Sequence, residues 1–173
     1  MALIPSFLYN IQNHGWDYHL ATSGDSLLAS SSPNYLWQAT TCGSGSVGYV
    51  VDTFAQKCLW ASGSSVGVHT CTSSDQFWSI RQVDGSPNTH IIQNVNESSD
   101  GFLSLDNKSF SLSTYAPGST QANSEWSFQY QNPPESVTWD VCGHVAALTT
   151  SSSNTSTVRS TLSSSSSITT TST

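Results

Sequence analysis

Residues 49–82, YVVDTFAQKCLWASGSSVGVHTCTSSDQFWSIRQ, fall into four short extended runs: YVVDTF (49–54), KCLWAS (57–62), VGVHTC (66–71) and FWSIRQ (77–82). Val66 with Val68, and Trp78 with Ile80, repeat at period two, the spacing of a strand with one face buried. The same four-run unit recurs on both sides. Aligning Trp37 with Trp78 displaces the sequence by 41 residues and carries LYNIQN (8–13) onto YVVDTF and then onto HIIQNV (90–95). The first unit is completed by YHLATS (18–23), SLLASS (26–31) and LWQATT (36–41). The third is completed by GFLSLD (101–106), SFSLST (109–114) and EWSFQY (125–130). Its Trp126 falls later than the displacement requires, so that unit holds a longer loop, and most breaks between runs carry Gly, Ser, Asn or Asp.

A repeat of this length decides architecture before any single motif does. Four strands per unit also suit a propeller blade, but a propeller needs about four blades to close, and three units are present. Three units closing around one axis make an all-β fold, a β-trefoil of three four-stranded repeats, in which one layer forms a barrel and hairpins cap it, so no long sheet edge stays open. The repeats are expected at about 7–42, 48–83 and 89–131 within a domain spanning 4–142, with Trp37, Trp78 and Trp126 in the shared core. No segment sustains a period of 3.6. From Thr149 to Thr173 the chain holds 20 Ser or Thr and only Val158, Leu162 and Ile168 as aliphatics. Such composition cannot offset the entropy of ordering, so 149–173 is expected to be a disordered tail, either an O-glycosylated stalk or an unmodified linker.

Charge narrows the partners. Four basic residues, Lys57, Arg81, Lys108 and Arg159, stand against 11 acidic ones for a formal charge of -7. No basic face exists to neutralise phosphates, so nucleic acid and anionic membranes are excluded as partners, and no apolar run approaches the roughly 20 residues of a membrane span. MALIPSF at the start has no basic n-region and is interrupted by Pro5, so no cleavable leader is visible. An even cysteine count and three Asn-x-Ser sequons, at Asn96, Asn107 and Asn154, point nonetheless to a secreted or cell-surface protein, with a cytoplasmic location as the alternative.

The second unit carries the most specific local pattern: Cys58 leading into its second run, Cys71 ending its third, then Gln76-Phe77-Trp78. It resembles the ricin-type (ricin B-like, QxW) β-trefoil lectin domain over the trefoil portion of the chain. In that family a cystine staples this hairpin and Gln-x-Trp anchors each lobe. Units one and three depart from it, with Tyr35-Leu36-Trp37 and Ser124-Glu125-Trp126. Cys58 and Cys71 also stand at the two ends of the predicted hairpin, within bonding reach across strands. Cys42 and Cys142 either pair, tying the end of the first unit to the segment beyond the third, or remain free thiols; four cysteines allow three connectivities.

The resemblance further implies a shallow galactose-type sugar pocket in each lobe, built from an Asp two residues after the first Cys, an aromatic near the end of the third strand and an Asn ahead of Gln-x-Trp. In the second unit those positions hold Trp60, His69 and Asp75, followed by Gln76. The Asp position is Ala21 in the first unit and Ser104 in the third, while Asn34 and Asn123 fill the Asn position. The carboxylate that would bind vicinal hydroxyls is thus missing, and the expectation is a glycan contact that departs from the galactose pattern. Trp60 follows Leu59, an inward position by alternation, so its indole is expected either to face outward and stack on a sugar or to lie over a neighbouring loop.

Two enzyme-like strings fail on context. Gly63, Ser65 and Gly67 spell a nucleophile elbow inside the hairpin, where no helix follows. Gly43, Gly45 and Gly48 spell a dinucleotide fingerprint that leads into a strand. The five His show no zinc-hydrolase pairing. The reading is therefore a non-enzymatic glycan-binding module without cofactor or metal. Its rivals are a trefoil protease inhibitor acting through Thr114–Glu125 and a structural trefoil with decayed pockets.

Overall fold

A computed structural model describes residues 7–42, 48–72, 77–95, 101–114, 122–132 and 139–156, with side chains described as far as Leu148. Twelve strands follow in order. The first unit supplies β1 (Leu8–Asn13), β2 (His19–Ser23), β3 (Ser26–Ser30) and β4 (Trp37–Thr40). The second supplies β5 (Tyr49–Asp52), β6 (Lys57–Ser62), β7 (Ser65–His69) and β8 (Trp78–Val83). The third supplies β9 (Ser86–Asn94), β10 (Phe102–Asp106), β11 (Ser109–Ser113) and β12 (Trp126–Gln131).

The first and fourth strands of the units form a closed antiparallel ring, β1–β4–β5–β8–β9–β12 and back to β1. Its thinnest seam joins β5 to β8 through one bridge, where the N–H groups of Gly48 and Trp78 donate to each other's carbonyls at 3.0 and 2.8 Å. Only glycine fits there, because a Cβ on residue 48 would lie 2.0 Å from the Thr40 carbonyl oxygen. The second and third strands pair into hairpins β2–β3, β6–β7 and β10–β11, and β3, β7 and β11 meet one another over one end of the ring. A six-stranded barrel capped by three hairpins is a β-trefoil.

The three tryptophans occupy matching surroundings. Each is almost wholly buried, and each indole N–H donates to a leucine carbonyl on the second strand of its own unit: Trp37 to Leu20 at 2.9 Å, Trp78 to Leu59 at 2.8 Å, Trp126 to Leu103 at 3.0 Å. Opposite them on the next unit's first strand stand Asp52, Asn94 and Asn13. The uniform 41-residue displacement is therefore wrong for the first strands: it misaligns units one and two by two residues and units two and three by one. The buried run Tyr49–Asp52 has no alternation to fix its offset, and a slip of two preserves alternation anyway. In the structural register Ile11, Val50 and Ile92 coincide as buried core residues.

Both cystines form. Cys58–Cys71, fully buried, staples the second hairpin across a Cα separation of 5.1 Å, and Cys42–Cys142 joins the end of β4 to the chain beyond β12 across 5.4 Å. The latter holds an unexpected element, helix α1 (Val141–Ser156). Sequence periodicity indicated no helix, and α1 runs eight residues into the segment expected to be a disordered tail; 157–173 lie outside the described residues. Tertiary anchoring overrides composition here. Gln38 exchanges two 3.1 Å hydrogen bonds with the backbone of Trp139, Asp140 caps the first turn by accepting from Gly143 N–H at 3.0 Å, and Val141 is buried in a second apolar cluster with Tyr49, Val51 and the Cys58–Cys71 cystine.

Candidate functional site

Antiparallel pairing places Trp60 on β6 opposite Gly67 and Cys58 opposite His69. The fold thereby brings together two of the residues expected from sequence. Their rings meet edge to face, 5.0 Å between centroids at 82°. Trp60 is half-buried and His69 exposed. Trp60 does not stand free: its indole nitrogen is sealed from solvent with no hydrogen-bond partner among the described residues. A Cβ on Gly67 would lie 2.9 Å from that nitrogen and 2.9 Å from the Asp25 carbonyl oxygen. The ring thus lies across Gly67 toward the β2–β3 turn, the second of its two expected orientations, and only its remaining face and edge are open to a ligand.

That turn supplies Asp25, and the start of β6 supplies Lys57, two site residues which sequence reading missed. Lys57 Nζ donates to the Asp25 carboxylate at 2.7 Å and to the Gly24 carbonyl at 3.0 Å. Asp25 is exposed, and its carboxyl is held below the ordinary carboxylate range, first by the Lys57 hydrogen bond and charge and to a lesser degree by attraction to His69. A carboxylate from the first hairpin is thereby tied to the second hairpin, whose β6 bears both Lys57 and Trp60. Nothing in the linear pattern links positions 25 and 60; the only available signal was the Gly24-Asp25 turn in a hairpin that a trefoil must pack against its neighbour.

The other lobes differ at the matching places. In the third, Ser104 is buried, and its hydroxyl bonds to Ser113, to Ser124 at 2.5 Å and to the Phe102 carbonyl at 3.2 Å, with Ser113 and Ser124 3.3 Å apart. The hydroxyls satisfy one another and fill the place where a pocket was expected. The backbone carbonyl of Asn123 there receives the Asn13 side-chain amide at 2.9 Å. In the first lobe Ala21 is buried and Asn34 is exposed. Asn34 and Asn123 thus belong to separate lobes and do not join Trp60 and His69. Asp75 and Gln76 lie outside the described residues, as do 115–121 of the loop considered as a protease-reactive segment.

The first-strand ends of units one and two use a common device. Asn13 Oδ1 accepts from the N–H groups of Gly15 and Trp16 at 3.0 and 3.1 Å. Asp52 Oδ1 accepts from Phe54 and Ala55 at 3.0 and 3.1 Å, and its other oxygen takes the Thr22 hydroxyl. These turns leave Trp16 and Phe54 exposed. Among the described residues no His, Cys, Asp and Glu cluster has the arrangement to hold a metal ion, and no helix is long and apolar enough to cross a membrane.

No protein-family profile matches the sequence, and a comparison with curated proteins finds no match. Solved structures share the fold. The BEL β-trefoil is 18% identical, covers 76% of this chain and 97% of its own, with a TM-score of 0.61. A GH43 β-1,3-galactosidase is 12% identical over 85% of this chain, with a TM-score of 0.59, and this chain spans 33% of it. The Polyporus squamosus lectin, solved bound to the human-type influenza-binding epitope Neu5Acα2-6Galβ1-4GlcNAc, is 18% identical over 75% of this chain, with a TM-score of 0.57, and this chain spans half of it. The chain has the fold of trefoil lectins, a fold that also occurs within an enzyme.

Proposed function

We propose that residues 4–142 form a non-catalytic carbohydrate-binding module of ricin-type descent, secreted or held at the cell surface, that takes glycans or glycoproteins as partners through its second lobe. The observation that carries this reading is the Trp60–His69 ring pair, with the turn that bears Asp25 packed against Gly67 and Val68 beside it. A flat aromatic surface accepts the apolar face of a sugar, while a carboxylate and an ammonium at its edge accept and donate to hydroxyls. The internally bonded hydroxyls of the third lobe support one open lobe over three equal ones. Binding through one shallow lobe is weak per molecule and gains from several copies acting together.

A glycan array probed with the full chain tests the reading, alongside Trp60→Ala and Asp25→Asn. The wild type is expected to retain a defined set of glycans, and both variants to lose at least tenfold in affinity while their circular dichroism spectra stay unchanged. A blank array for the wild type, or equal binding by a folded Trp60→Ala variant, defeats it.

A further inference from the structure

Two-residue turns close the three cap hairpins. In the third, pairing runs from Phe102 with Ser113 to Asp106 with Ser109, leaving Asn107 and Lys108 alone at the tip. Both have positive φ, 43° and 71°, the signature of a type I′ hairpin, in which asparagine is one of the few residues tolerated besides glycine. The matching tip positions in the other hairpins are Gly24 and Gly63, with φ of 63° and 60°. A Cβ built at either meets no heavy atom within 4 Å. A substituent at this place in the unit therefore projects into open solvent. Asn107 is exposed together with Asp106, Lys108 and Ser109, and among the described residues its carboxamide engages no partner.

Asn107-Lys108-Ser109 is an Asn-x-Ser sequon. We propose that Asn107 is the acceptor of an N-linked glycan. In the transfer, the Asn107 carboxamide nitrogen loses a proton and bonds to the anomeric carbon of an oligosaccharide. The bond from that carbon to the pyrophosphate of a lipid-linked donor breaks, and the lipid pyrophosphate leaves. The two cystines suit the oxidising compartment where this donor is found. Asn154, by contrast, lies within helix α1 rather than at a hairpin tip. The glycan stands on the cap, beside Tyr18, whose ring Lys108 Nζ approaches to 5.1 Å. It displaces no packed side chain. This inference is independent of whether the module itself binds sugar.

The test is to express the full chain behind a cleavable secretory leader in a glycosylating eukaryotic host. Protein from the medium and from the cells is then mapped by glycopeptide mass spectrometry, with and without peptide-N-glycosidase. Most molecules are expected to carry a glycan at Asn107, released with conversion of that residue to Asp. Asn107→Gln and Ser109→Ala should abolish occupancy, Ser109→Thr should keep it, and enzymatic release should leave the thermal midpoint unchanged. Recovery of the Asn107 peptide unmodified from both fractions overturns the proposal, as does occupancy confined to Asn96 or Asn154, or a glycan that persists at 107 in Ser109→Ala.

Discussion

Replacing Trp78 by Phe probes the device on which the fold depends. Trp78 is 2% exposed, and its indole N–H is the donor to the Leu59 carbonyl at 2.8 Å. Phe keeps an aromatic ring in the core but has no donor. The orphaned Leu59 carbonyl costs about 1–3 kcal/mol, the penalty of a buried acceptor without a partner. The smaller ring leaves a void of a few tens of Å³, about 1 kcal/mol at ~24 cal/mol per Å³. A loss of about 2–4 kcal/mol follows, a large share of the stability of an ordinary domain. Since Trp37 and Trp126 make the same bond in the same surroundings, their Phe variants should lose similar amounts. Urea unfolding with the cystines intact measures this, the slope staying constant while the midpoint falls. A loss below about 1 kcal/mol at any of the three sites, or costs differing among them by more than about 2 kcal/mol, refutes the claim that the indoles are symmetry-related anchors of one core.

Gly48→Ala drives a methyl group into the Thr40 carbonyl at the thinnest seam of the ring, so the midpoint of thermal unfolding should fall further than for Gly24→Ala, whose Cβ meets open space. Replacing Cys42 and Cys142 together by Ala opens a loop of sequence separation 100; the chain-entropy relation gives about 4–5 kcal/mol, and the circular dichroism signal of α1 should fall with it. An unchanged helical signal would show that Gln38 and Val141 suffice to dock the helix. His19 is held below the ordinary histidine range, burial outweighing the opposing attraction of Asp17. The unfolded chain therefore binds a proton more readily than the folded one, and the stability due to this residue is present above the unfolded value of about 6.5 and lost as pH falls through the folded one. His19→Gln should flatten that decline in a series of urea titrations from neutral to mildly acidic pH.

Much of the fold was legible because a trefoil writes itself three times. Trp37, Trp78 and Trp126 mark the fourth strands, apolar alternation marks the hairpins, and each of the twelve expected runs overlaps an observed strand. Cys58 and Cys71 could be paired from the hairpin they close. These are local signals, carried by residues a few positions apart.

Other features were decided only when the chain closed. The offset between first strands depends on which residue faces each tryptophan across the ring, and Tyr49–Asp52 is buried throughout and offers no pattern to choose it. Trp60 lies across Gly67 because the β2–β3 turn of another unit limits its space, and Asp25 joins it through Lys57. The start of α1 is fixed by Gln38, about a hundred residues away, in a segment whose composition alone favours disorder. Sequence determined the repeated unit, because periodicity is a property of neighbours along the chain. Tertiary structure decided the register, the helix and the composition of the candidate site, because each depends on contacts between units that no local pattern encodes.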